Sequence, residues 1–172
     1  MAKPLNTLPS DHETRVDADD HAALKLWLRL LTCTNLIEAH IRRELRSRFE
    51  STLPRFDLLA QLQRSPGGLR MSELSARLMV TGGNVTALTD QLEHEGLIER
   101  QADETDKRAT RVQLTATGRR RFAIMATEHE SWVDEMTGTL NRRELNELFR
   151  LLGKLKDGIR QHDDSIPPTD SP

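Results

Sequence analysis

The sequence predicts a mostly α fold interrupted by one two-stranded β hairpin. Three observations point there. Of the 172 residues, four are Phe, two are Trp and none is Tyr, while 30% are charged. A composition rich in helix formers and poor in aromatics favours helices with polar faces. Apolar residues recur at three-four spacing along most of the chain. Between residues 71 and 118 the pattern changes. Two short helical patterns lie about a turn apart, and two strand-like runs then flank a polar, charged tip.

Each element follows in order. Residues 1–19 scatter charge around Pro4, Pro9 and Ser10 and read as a flexible acidic arm. A long helix follows over 20–50, with Leu24, Trp27, Leu28, Leu31, Asn35, Glu38, Ile41 and Leu45 at helical spacing. From Ala22 to Leu31 apolar residues wrap over half its circumference, so it needs cover on more than one side. A second subunit is the expected cover. Its later half is basic (Arg42, Arg43, Arg46, Arg48) and reads as a solvated face. Pro54 suits the first turn of the next helix, which carries Phe56, Leu58, Leu59 and Leu62. Ser65-Pro66-Gly67-Gly68 is a turn. Ser72 is the expected N-cap of the following helix, with Glu73 just inside and Leu74, Leu78 and Met79 buried.

The next helix starts near Thr81 or Gly82, buries Val85, Leu88 and Leu92, and ends at Gly96. Residues 97–100 and 110–114 read as the two strands. Thr115 caps a helix with Phe122, Met125, His129, Trp132, Val133 and Met136 on one stripe. Asn141 and Glu144 form a capping box ahead of a near-heptad run of Leu145, Leu148, Leu152, Leu155 and Ile159. Residues 161–172 read as a disordered acidic tail. The expected organisation is a lobe over 54–115, flanked by a helical dimerisation module from 20–50 and 116–160.

A helix pair followed by a basic hairpin suits duplex DNA, with one helix in the major groove and the hairpin along the backbone or minor groove. Net charge is only −2, but its distribution is uneven. Residues 97–121 hold seven bases against four acids, whereas 161–172 hold three acids and neither Lys nor Arg. The single cysteine, Cys33, allows no intrachain disulfide. The chain lacks a signal-like apolar core and any run of about 18 apolar residues, so a cytoplasmic location without membrane partners is expected. There is no nucleophile elbow, P-loop, dinucleotide fingerprint or zinc spacing. Asp19-Asp20 and Asp163-Asp164 lie in tails. The expectation is a non-enzyme without metal or cofactor.

Residues 54 to about 121 resemble the MarR family of winged helix-turn-helix transcription regulators, and the flanking helices extend the likeness to roughly 20–160. The carriers are FDLLAQL, LRMSELSARLMVTGGNVTALTDQLEHEGLIER, the wing DETDKR, and VQLTATGR. The resemblance implies a homodimer on a pseudo-palindromic operator in double-stranded DNA, with reading helices about 34 Å apart. It implies a repressor released by a small, phenolic or aromatic-acid ligand. The alternatives are a redox-sensing repressor using Cys33 and a regulator with no ligand. Cys33 itself, set among Leu30, Leu31, Leu36 and Ile37, reads as a small buried hydrophobe, since a reactive thiol needs exposure and a lowered pKa.

Carried onto this chain, the recognition helix runs from Thr81 to Gln91. Asn84 and Thr86 would meet base edges. Gly82 and Gly83 would let phosphate approach helix-start N–H groups, and Ser72 and Thr89 would add backbone contacts. Arg108 would enter the minor groove and Lys107 would touch phosphate. Asp106 would orient Arg100 or Arg111. One departure stands out. Residues 81–95 contain no Lys or Arg, Ala87 stands where many relatives have Arg, and Asp90, Glu93 and Glu95 make the helix acidic. Phosphate neutralisation would then fall to the wing, Arg55, Arg64, Arg70 and Arg77. Arg119, Arg120 and Arg121 read as either phosphate contacts or a solvated helix start. His40, Arg43 and His129 are the candidate ligand pocket, suited to a carboxylate. The plainer reading of His129 is a hydrogen-bonded core residue.

Overall fold

Caps and turns decide where each element begins and ends. The computed structural model describes residues 21–78, 82–103 and 109–165, with side chains to 162. The order is α1 (Ala22–Phe49), α2 (Leu53–Gln63), β1 (Leu69–Arg70), α3 (Met71–Leu78), α4 (Gly82–His94), β2 (Ile98–Ala102), β3 (Thr110–Leu114), α5 (Ala116–Thr137) and α6 (Arg142–Ser165). One compact unit ends at Glu130 and a second begins at Ser131.

The expected two-stranded hairpin is a three-stranded antiparallel sheet in the order β1-β3-β2. Leu69 pairs with Val112 and Arg70 with Arg111. A two-residue strand is too short to show a period of two, so only its partner reveals it. The glycine turn delivers it. Gly68 has φ 76°, and a Cβ there would lie 2.7 Å from the Val112 carbonyl oxygen. The strand then runs directly into α3, which starts at Met71 rather than after Ser72. Glu73 caps it by accepting a hydrogen bond from the Arg70 N–H at 2.7 Å. Ser72 is therefore an exposed first-turn residue, not the N-cap.

The other caps follow the sequence. Gly96 closes α4 at φ 68°, with Leu97 N–H donating to Leu92 at 2.9 Å. That bond engages Leu97, so β2 begins one residue later than expected. Thr115 Oγ1 accepts from Gly118 N–H at 2.9 Å. Asn141 Oδ1 accepts from Glu144 N–H at 3.1 Å, and Glu144 returns a 2.8 Å bond to Asn141 N–H. This is the reciprocal capping box.

Within the first unit, Leu45, Leu58, Leu59, Leu62, Leu74, Val85, Leu92, Ile98, Val112 and Met125 are almost wholly buried. The core binds α2, α3 and α4 to the sheet. α1 buries only Ile41 and Leu45, and leaves Leu24, Leu26, Trp27, Leu31, Leu36 and Ile37 exposed. Cys33 lies on that uncovered stretch and is exposed, against the expectation of a buried thiol. In the second unit, α6 exposes Leu145, Leu148, Leu152, Leu155 and Ile159, and also Phe149 at 82%. No described helix is long and apolar enough to cross a membrane.

Gly118 marks the tightest approach. A Cβ there would stand 1.9 Å from the Leu97 carbonyl oxygen, which is backbone and cannot swing aside. Gly118→Ala should therefore destabilise the fold by at least about 2 kcal/mol, read as a lower denaturant midpoint. An unchanged midpoint would show that α5 can shift away from the turn after α4.

Candidate nucleic-acid interface

Helix α4 has two faces with different work. Val85, Thr89 and Leu92 point into the core. Gly82, Gly83, Asn84, Thr86, Ala87, Asp90 and Gln91 are exposed. A Cβ at Gly82 or Gly83 would meet nothing within 4 Å, so the start of the helix is open for close approach. Thr86 Oγ1 donates back to the Gly82 carbonyl at 3.0 Å. Asn84 is thus the exposed amide on the opening turn, with both donor and acceptor capacity.

Thr89 does not belong with the outward residues. It is fully buried, and its hydroxyl donates to the Val85 and Thr86 carbonyls at 2.9 Å each. A phosphate contact from it is excluded by burial. Helical spacing is the reason, because Thr89 is four residues after Val85 and shares its inward face.

The acids of α4 are also not as the sequence suggests. Arg100 reaches across from β2. Its Nη2 donates to Asp90 Oδ1 at 2.6 Å and to Thr89 Oγ1 at 2.5 Å, and its Nη1 donates to Glu93 Oε2 at 2.8 Å. Glu95, just past the helix, forms an ion pair with Arg55 of α2. Arg55, expected to neutralise phosphate, and Arg100, expected to pair with Asp106, are instead turned onto carboxylates in or just past the later half of the reading helix.

The base of the wing has its own centre. The Asp103 side chain is 1% exposed and accepts from Arg70 Nε at 2.9 Å and Arg111 Nε at 3.1 Å. Arg111 also donates to the Gly68 carbonyl at 2.9 Å. Asp103 was missed as a functional residue because its segment reads as an exposed charged loop. It lies just past β2, and its two arginines come from β1 and β3, so local pattern gave no signal for it. Thr81, Asp106, Lys107 and Arg108 lie outside the described residues.

Other cations are distributed more widely. Arg64 is exposed at the end of α2, and Arg77 donates to Ser65 Oγ at 3.1 Å. Arg119 and Arg121 donate to the carbonyls of Leu114 and Phe49, and Arg120 to Thr117 Oγ1. These contacts give the triplet roles in holding the start of α5.

Among the candidate pocket residues, Arg43 lies 2.7 Å from His40 Nδ1 on α1. His129 is half-buried on α5 and stacks on Phe56 of α2, with centroids 4.8 Å apart. Phe56 also packs on Phe122 at 5.4 Å. Beside the stack lies Asp57, inside the apolar run of α2. Burial raises the Asp57 pKa, opposed by His129, Arg42 and Arg64 and reinforced by Glu38. Burial lowers the His129 pKa, and the Asp57 charge partly opposes it.

The MarR family model matches residues 51–110, from just before α2 to the first residue of β3. A helix-turn-helix-type transcriptional regulator of Bacillus cereus is 31% identical over 134 residues, covering 76% of this chain and 86% of that protein. The chain belongs to the MarR family. The transcriptional activatory protein BadR of Rhodopseudomonas palustris is 25% identical over 155 residues, 88% of each chain. The fold matches that of the MarR regulator Sco3205 of Streptomyces coelicolor, solved in complex with DNA, with TM-score 0.69 and 23% identity over 83% of this chain and 91% of that one. Membership makes this chain a transcription regulator and not an enzyme. In this MarR-family chain, α3 and α4 form the helix-turn-helix and β2 and β3 form the wing.

The Phe56–His129 stack has a pH signature. A histidine whose folded pKa is depressed stabilises the fold above its ordinary titration range, and that contribution is lost as pH falls through the lowered value. Between about pH 7.5 and about pH 5, wild-type Tm should fall more steeply than that of His129→Gln. Parallel falls would show that His129 is not held neutral by the fold.

Proposed function

We propose that the chain is a homodimeric, sequence-specific DNA-binding repressor that a small aromatic or phenolic acid releases. The observation that carries the reading is the outward face of α4. It presents Gly82, Gly83, Asn84 and Thr86 on an open helix start, while its acids face Arg55 and Arg100. An α-helix of this kind fits the major groove, where an Asn amide is bidentate to adenine. The wing residues Lys107 and Arg108 supply phosphate contact and minor-groove insertion. That Sco3205, a regulator of this fold, was solved in complex with DNA supports DNA as the partner.

The exposed apolar stripes support the dimer. α1 and α6 each leave large side chains uncovered, and contiguous exposed apolar surface marks an interaction face. Residues 20–50 and 116–160 supply the dimerisation module, and a two-fold protein places two reading helices on a pseudo-palindromic site. The acidic arm (1–19) and tail (161–172) lie outside that module, and the dimer acts in the cytoplasm. BadR is an activatory protein, so operator occupancy and the sign of regulation are separate measurements.

Selection from random duplexes should enrich a two-fold-symmetric site. On that site Arg108→Ala should weaken binding and make the log–log salt dependence shallower by about one. Unchanged affinity and slope would remove Arg108 from the interface. For the effector, aromatic carboxylates should raise Tm by mass action, and each compound that does so should release the duplex. Thiol control through Cys33, which lies on the α1 stretch assigned to the dimer face, is the second reading. That reading requires peroxide to release DNA from wild type but not from Cys33→Ser, and equal release rejects it.

A further inference from the structure

The recognition helix combines two properties that conflict near DNA. Its exposed surface carries Asp90 four residues after Thr86, on the same helical face as a base-reading candidate. Glu93 follows within the next turn, and residues 82–94 contain no Lys or Arg to offset them. Duplex DNA is polyanionic, and acids within a Debye length of its phosphates weaken binding.

Arg100 resolves the conflict geometrically. Its three acceptors on α4 are Thr89, Asp90 and Glu93, at consecutive and one-turn spacings that a single planar guanidinium can bridge. Thr89 is anchored further by its bonds to the Val85 and Thr86 carbonyls. The chain of bonds therefore runs from β2, through the guanidinium, to the backbone of the helix at its reading end. The Arg100 side chain is 26% exposed, and its terminal nitrogens are directed at the helix.

We propose that Arg100 is a positioning residue for DNA recognition rather than a phosphate contact. It locks the reading helix to the first strand of the wing, and it cancels two carboxylates on the surface that faces the duplex. Arg is required because its fork serves several acceptors at once, whereas a Lys ammonium is a flexible point charge. The inference rests on the DNA-binding reading above.

The test is a coupling measurement on the full-length chain. Affinities for the enriched duplex and for a scrambled duplex are measured across salt for wild type, Arg100→Met, Asp90→Asn with Glu93→Gln, and all three together. Thermal melts accompany each. Arg100→Met should lower affinity for the enriched site by roughly tenfold or more and shrink its preference over the scrambled duplex, with the salt slope unchanged. Removing the two acids should affect wild type little, because the Asn and Gln amide oxygens and Thr89 can still accept from Arg100, and should restore part of the loss in Arg100→Met by removing the bare carboxylates, a non-additive cycle.

A direct phosphate contact predicts otherwise: a slope shallower by about one and additive effects. That result would overturn the proposal. A purely structural role would lower Tm while leaving the preference for the enriched site intact, and would also overturn it. Should Arg100→Met fail to fold, Arg100→Lys is the deciding variant. It should bind the enriched site more weakly than wild type at equal net charge, and wild-type behaviour would overturn the fork argument. Failure of wild type to enrich any duplex would instead refute the DNA-binding reading itself.

Discussion

A buried carboxylate shared between two guanidiniums holds the DNA-binding lobe in register. Asp103 has almost no solvent exposure and receives Arg70 from β1 and Arg111 from β3. It stands at the end of β2, so all three strands meet in one charge-assisted cluster. Such a cluster is intolerant of losing a member, because a partner removed leaves the remaining charge poorly compensated. The Arg111 bond to Gly68 extends the cluster to the turn that positions α3. The sheet is small, and this ion pairing substitutes for the length of ladder that a larger sheet would have.

The same logic governs the reading helix. In sequence, α4 looks ill-suited to a polyanion, with two acids in its later half, a third just past its end and no Lys or Arg. In three dimensions each acid has an arginine from another element: Arg100 for Asp90 and Glu93, and Arg55 for Glu95. Exposed pairs of this kind add little stability. Their larger effect is on the field that the helix presents and on its angle to the wing. Charge on a helix is thus not a property of its own residues alone.

The apolar surface divides along functional lines as well. The core of the first unit is filled mainly by residues from α2 to β3, joined by Ile41 and Leu45 of α1 and Phe122 and Met125 of α5, whereas α1 and α6 also carry large side chains that nothing within their own described units covers. The His129–Phe56 stack and Asp57 place titratable groups in partly desolvated surroundings beside the lobe. The stack joins α2 to α5, which carry its two partners.

Much of this was legible in the residues. Gly96, Thr115, Asn141 and Glu144 declare helix ends because their chemistry is local, and three-four spacing declares α1, α5 and α6. The family motifs declared the lobe. Gly118 in the LT-x-x-G motif was visible, but its reason, contact with the Leu97 carbonyl, was not. The burial of Thr89 follows from its spacing to Val85, whereas tertiary structure alone decided the third strand, the role of Asp103 and the pairing of Arg55 and Arg100. Each depends on residues far apart in sequence whose side chains meet only after folding, where periodicity and capping carry no information. The sequence by itself determined the helices, the two wing strands and the apolar faces of the helices. The tertiary structure decided which charges remain available to DNA, because a guanidinium pairs with whatever carboxylate the fold brings within reach.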